Sequence, residues 1–118
     1  MIRIMGANMN LSVESLKTVT VVQLDGRFDA YEAPQISAWV DENINPSHCQ
    51  IVADLSSVSF IDSTALATLV KGMKRCRQHG GDLYICGLVK TVRIIFELTR
   101  LDKAFRIFET RSEAVNAF

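Results

Sequence analysis

Cysteine is sparse in this chain, and what there is excludes most of what cysteine builds. Cys49, Cys76 and Cys86 are widely spaced and form no CxxC pair, and an odd number suits a disulfide framework poorly; they read as buried or half-buried thiols. His48 lies beside Cys49, but two adjacent residues cannot supply the tetrahedral shell of a metal site, so neither metal nor cofactor is expected. Charge of one sign is missing as well. Thirteen basic residues balance thirteen acidic ones, and no Arg/Lys cluster interleaved with aromatics marks a nucleic-acid surface. No apolar run approaches the roughly 18 residues of a membrane span, and Met1-Ile2-Arg3-Ile4-Met5-Gly6 lacks the apolar region and cleavage site of a signal peptide. The expected compartment is the cytoplasm, without membrane insertion. Nucleotide and hydrolase signatures are missing too: there is no GxxxxGK[ST] loop, no GxGxxG and no GxSxG elbow. A Ser-His-Asp set from Ser63 with His48 or His79 has no motif behind it. An Asp29–Asp62 acid/base pair is conceivable, but close carboxylates arise for many reasons. The chain reads as a non-enzyme.

What is present is the composition of an ordinary globular domain: 118 residues, 48% hydrophobic and 22% charged, enough for one core. Leu11–Val13 and Thr18–Leu24 read as strands joined by the polar turn Glu14-Ser15-Leu16-Lys17, the second rich in β-branched residues. Asp25-Gly26 reads as the end of that strand. Tyr31–Ile44 has helical apolar spacing, with Pro34 in the first turn where a missing N–H costs little, and Trp39 at the edge of the inward face. The largely apolar run 51–55 suits a central strand. A second helix starts near Asp62-Ser63, with Leu66, Leu69, Val70, Met73 and Cys76 in one stripe, and Gly80-Gly81 stop it. A strand over 82–86 follows, then a short helix over 91–99 with Val92, Ile95, Phe96 and Leu98 mostly inward. An edge strand over 105–108 leads to a capping box, Thr110-Arg111-Ser112-Glu113, that opens a last helix. Alternating strands and helices predict parallel pairing in the second half, and the opening hairpin makes the sheet mixed. Residues 9–118 read as the domain and 1–8 as an N-terminal extension.

The chemistry concentrates at Asp62-Ser63-Thr64. The first turn of a helix has unpartnered N–H groups and the positive end of the dipole. The side chain of Asp62 or Ser63 can accept one of those N–H bonds, worth about 1 kcal/mol. The same place also suits a phosphate on Ser63, which brings roughly −1.5 to −2 charges at pH 7. Asp62 is adjacent, and Asp29 lies just past a strand end, within reach of the same sheet edge; both oppose the phosphate, so phosphorylation would sharply change a docking surface. Thr64 is a competing acceptor, turned about 100° away.

Three segments resemble the STAS domain, the module shared by anti-sigma factor antagonists and the cytoplasmic tails of sulphate transporters. Residues 51–66, IVADLSSVSFIDSTAL, are similar to that family's apolar strand followed by D-L-S-x-V-x-F-I-D-S-[ST]-G-L. Residues 98–107, LTRLDKAFRI, are similar to its L-T-G-L-D-K-x-F-x-I, and Gly26-Arg27-Phe28-Asp29 to its G-x-[LF]-D. The resemblance implies a single α/β domain with a mixed four- to five-stranded sheet and helices packed on one side. It implies phosphorylation at Ser63, flanked by Asp29 and Asp62, by an anti-sigma factor that is itself a serine kinase. The unphosphorylated domain then binds that kinase and frees a sigma factor, and a serine phosphatase resets the cycle. The alternative is a constitutive STAS binding or scaffold module, such as a subunit of a membrane transport complex, in which Ser63 is only a cap. Ala65, Ala67 and Arg100 stand where the family often has glycine. A Cβ at Ala65 or Ala67 is expected to narrow the approach of a partner backbone.

Overall fold

The computed structural model describes the backbone of residues 2–5 and all of residues 9–118; residues 1 and 6–8, part of the expected N-terminal extension, lie outside the described residues. A single sheet runs in chain order, β1 (Ile2–Met5), β2 (Met9–Leu16), β3 (Val19–Phe28), β4 (Gln50–Ile61), β5 (Asp82–Cys86) and β6 (Ile107–Phe108). The first three strands pair antiparallel and the last four, from β3 on, pair parallel. Residues 9–118 thus supply a mixed five-stranded sheet, as expected, and Ile2–Met5 add a strand at its edge.

Helices α1 (Ala33–Asn43), α2 (Ser63–Gln78) and α3 (Lys90–Leu98) cover one face. Their Ile36, Trp39, Val40, Leu66, Leu69, Met73, Val92 and Phe96 share a core with Leu24, Ile51, Ala53, Leu55 and Ile85 of the strands. Adjacent strand residues point the other way, as pleating requires. Val21, Val52, Tyr84 and Cys86 form a second, smaller core, and the short α4 (Arg111–Asn116) closes it with Ala114. The expectation of helices on one side therefore holds for the three longer helices, while α4 lies on the opposite face. Burial pushes the thiols of Cys76 and Cys86 up to about 12, so both behave as apolar core groups.

Three local expectations change. Glu14-Ser15-Leu16 continue β2, paired with Val19–Val21, and the turn shrinks to Lys17-Thr18. The alternation of side chains carries the strand through its polar residues, and Lys17 takes the left-handed conformation that a two-residue hairpin demands (φ 59°). Asp25-Gly26 does not end β3. The register against β4 shifts on either side of it, but the extra residues, among them Ser59 between the partners of Gly26 and Arg27, lie on β4. It is β4 that carries the bulges, and β3 runs on through Gly26 (φ 118°) to Arg27-Phe28. Leu98 is 77% exposed; six residues past Val92, it falls about 240° around the helix.

Arg100 occupies a left-handed position (φ 63°) between α3 and the 3-10 turn Leu101–Lys103, which explains the glycine frequent at that place in the resembled family. Arg100→Gly is expected to raise the unfolding free energy by about 0.5–1 kcal/mol, because relief of the Cβ clash exceeds the extra freedom of the unfolded chain. Urea unfolding at pH 7 measures it; a loss of stability would show that the arginine side chain contributes more than its backbone strain costs.

Candidate functional site: the head of helix α2

The bulge at Ser59 of β4, opposite Gly26 and Arg27, sets the site. Beyond it, Arg27 pairs with Phe60 and Phe28 with Ile61, so β3 and β4 end side by side and the Phe28 carbonyl accepts the Asp62 N–H at 3.3 Å. The chain leaves β4 through Asp62 straight into α2. Asp62 is the N-cap: Oδ1 accepts from the Ala65 N–H at 2.9 Å, and Oδ2 accepts from the Ala30 N–H at 2.9 Å. One carboxylate thus caps the helix and ties it to the loop after β3.

Because Asp62 caps the helix, Ser63 is left over. It is the first helical residue, exposed, and among the described residues nothing bonds its hydroxyl. Thr64 is exposed too; its carbonyl, not its hydroxyl, is engaged, accepting from the Thr68 hydroxyl at 3.0 Å. Asp29 sits on the adjoining loop with its carboxylate mostly covered, its side chain 14% exposed. Its Oδ1 accepts from the N–H groups of Tyr31 (3.0 Å) and Glu32 (3.2 Å), and its Oδ2 from Arg27 Nε at 3.1 Å. The structure therefore brings Asp29, Asp62, Ser63 and Thr64 to one mouth at the carboxyl ends of β3 and β4.

Other residues at this mouth were not singled out by sequence reasoning. Tyr31 is 90% and Phe60 37% exposed, and the Arg27 guanidinium lies over the Phe60 ring, 3.7 Å from its centroid. Arg27 and Phe60 stood in the sequence only inside the family-like GRFD and SFID segments, and Tyr31 only as the start of the first helix. A shallow groove beside Phe60 is closed by Thr91, Val92 and Ile95 of α3. Of the two alanines at glycine positions, Ala65 is fully buried, so its Cβ faces the core and not a partner. Ala67 is exposed on the outer face of α2 beside Val70 and Lys71, and it alone of the two stands where an approaching backbone would meet it.

The chemistry available here is narrow. His79 follows the far end of α2, 16 residues and about 24 Å from Ser63. His48 precedes β4, at the opposite end of that strand from Ser63. Neither forms a triad with Ser63. Among the described residues no group of three or more His, Cys, Asp or Glu is placed to hold a metal ion, and no helix is long and apolar enough to cross a membrane.

Comparison with known proteins agrees with this layout. An anti-sigma F factor antagonist from Paenibacillus polymyxa is 26% identical over 109 residues, covering 92% of this chain and 93% of its own. An anti-sigma-B factor antagonist from Staphylococcus aureus is 26% identical over 102 residues, covering 86% and 94%. The crystal structure of an anti-sigma factor antagonist from Mycobacterium paratuberculosis superposes with a TM-score of 0.83 at 28% identity, covering 92% of each chain. The family model described as the STAS domain matches residues 10–114, from the second strand into the last helix and across the whole Asp62-Ser63 mouth; this chain belongs to the STAS domain family.

Proposed function

We propose that this STAS domain is an anti-sigma factor antagonist whose affinity for its partner is set by phosphorylation of Ser63. The partner is an anti-sigma factor that is itself a serine kinase. Unphosphorylated, the domain occupies the kinase and releases the sigma factor; phosphorylated, it lets go, and a serine phosphatase returns it to the binding form. In this cycle the chain is ligand and substrate, not enzyme. The relatives named above, anti-sigma factor antagonists of nearly the same length, support the reading.

The observation that carries it is the division of labour at the head of α2. Asp62 does the capping, so the Ser63 hydroxyl is exposed and uncommitted among the described residues. A hydroxyl used as the cap would have to break its own helix to react. In the transfer, Ser63 Oγ bonds to the γ-phosphorus of ATP held by the kinase. The bond to the bridging oxygen breaks, ADP leaves, and the hydroxyl proton passes to a base on the kinase. The product dianion is partly stabilised by the helix end and opposed by Asp62 and Asp29, so it changes the mouth without unfolding it.

Incubation with Mg-ATP and the cognate anti-sigma kinase is expected to add one phosphoryl group, located on Ser63 by peptide mass spectrometry. Phosphate on Thr64, or none on either, would overturn the assignment.

A further inference from the structure

We infer that Arg27 is the internal receptor for a phosphoryl group on Ser63: on phosphorylation its guanidinium leaves Asp29 and pairs with the phosphate. This rests on the phosphorylation reading above and adds how the modification spreads beyond the modified residue.

The inference comes from unspent donors. A guanidinium carries five N–H groups, and Arg27 uses Nε, on Asp29, while among the described residues neither Nη group has a hydrogen-bond partner. The Phe60 ring supports the guanidinium face at 3.7 Å, leaving the Nη edge open. A planar, face-supported fork with a free edge matches a phosphate bidentately. Both residues also stand at the carboxyl ends of β3 and β4. Arg27 directly precedes Phe28, whose carbonyl holds the Asp62 N–H at 3.3 Å, and Ser63 directly follows Asp62.

The exchange costs little. The Arg27–Asp29 pair is half in water, with the arginine side chain 52% exposed, and such pairs contribute little. Asp29 also keeps its two backbone donors from Tyr31 and Glu32 when Arg27 leaves, so no carboxylate is stranded. A phosphate dianion attracts the guanidinium more strongly than one carboxylate does. Once Arg27 has moved, Asp29 loses its counter-charge and Phe60 its cover. A partner resting on the mouth then meets a changed surface as well as a new charge.

The test installs phosphoserine at position 63 of the full chain by genetic encoding, so no kinase is needed, and follows the phosphate by 31P NMR from pH 4.5 to 8. The charged groups at this end of the sheet are Arg27 and Asp29 of β3 and its loop, Asp62 at the helix cap, and Lys90 at the head of α3. In the wild type, Arg27 favours the dianion, so Arg27→Gln is expected to raise the second phosphate pKa by about half a unit, a roughly threefold rise in proton affinity. Arg27→Lys should keep part of the effect, and Lys90→Gln should leave the pKa within about 0.1 of wild type. Identical titrations for wild type and Arg27→Gln, or a shift with Lys90→Gln in place of Arg27→Gln, would overturn the inference. A kinase that never modifies Ser63 would sink the proposed function instead, leaving this titration unaffected.

Discussion

Ser63→Asp is expected to weaken binding to the anti-sigma kinase by about a hundredfold or more, and Ser63→Ala to change it by less than about threefold. The asymmetry follows from the site. The Ser63 hydroxyl has no partner among the described residues and stands in solvent, so deleting it removes no contact of the fold. A carboxylate there sits beside Asp62 and near Asp29, where a docked partner excludes water and Coulomb terms grow. Like charges brought together at an interface cost several kcal/mol, and about 2.7 kcal/mol is a hundredfold in affinity. Folding should move the other way, since a negative charge in the first turn of a helix is stabilising by about 0.3–1 kcal/mol. Titration calorimetry with the kinase, beside thermal unfolding of each variant, separates the two effects. Equal affinities for both variants would mean that Ser63 is only a helix residue and would favour a constitutive binding module.

The mouth was legible in the sequence to the extent that its chemistry is local. A strand, an aspartate, a serine and an amphipathic stripe lie within a few residues of one another, and capping rules act over that span. What local text left open was which side chain caps. That depended on Ala30, which offers Asp62 a second N–H from a distant loop. The continuation of β3 through Gly26 was invisible for a similar reason: glycine both ends strands and sits within them, and only the partner strand decides, here by bulging at Ser59. Phe60 read as strand, and its exposure beneath Arg27 is a cross-strand fact of β3–β4 pairing. The face taken by α4 had no signal at all. A helix of six residues with Ala114 as its buried member carries no stripe to point it, and its placement is settled by Arg111, known from the sequence only as a residue of a capping box.

Arg111 supplies the second large effect: Arg111→Met is expected to lower the unfolding free energy at pH 7 by about 2–3 kcal/mol. Its guanidinium reaches across the sheet from α4. Nε and Nη2 approach Asp54 Oδ2 on β4 at 3.0 and 2.9 Å, Nη2 donates to Gln23 Oε1 on β3 at 2.7 Å, and Nη1 to Glu14 Oε2 on β2 at 3.1 Å. Glu14 is 43% exposed and contributes little, but the Asp54 side chain is 8% exposed. Burial raises the Asp54 pKa, yet hydrogen bonds from Ser56 and the charge and hydrogen bonds of Arg111 outweigh it and hold the carboxyl below its usual 3.8. A depressed folded pKa means that the wild-type contribution is present above 3.8 and is lost as pH falls through the lower folded value. Methionine removes the cation and leaves the burial, so in the variant the Asp54 carboxyl titrates higher and is neutralised sooner on acidification. The stability gap between wild type and variant should therefore narrow as urea unfolding is repeated from pH 7 down to about 4, and adding Asp54→Asn to the variant should recover about half of the pH 7 loss. A gap independent of pH, with no recovery in the double variant, would mean that the arginine stem holds α4 by packing and that its charge is incidental.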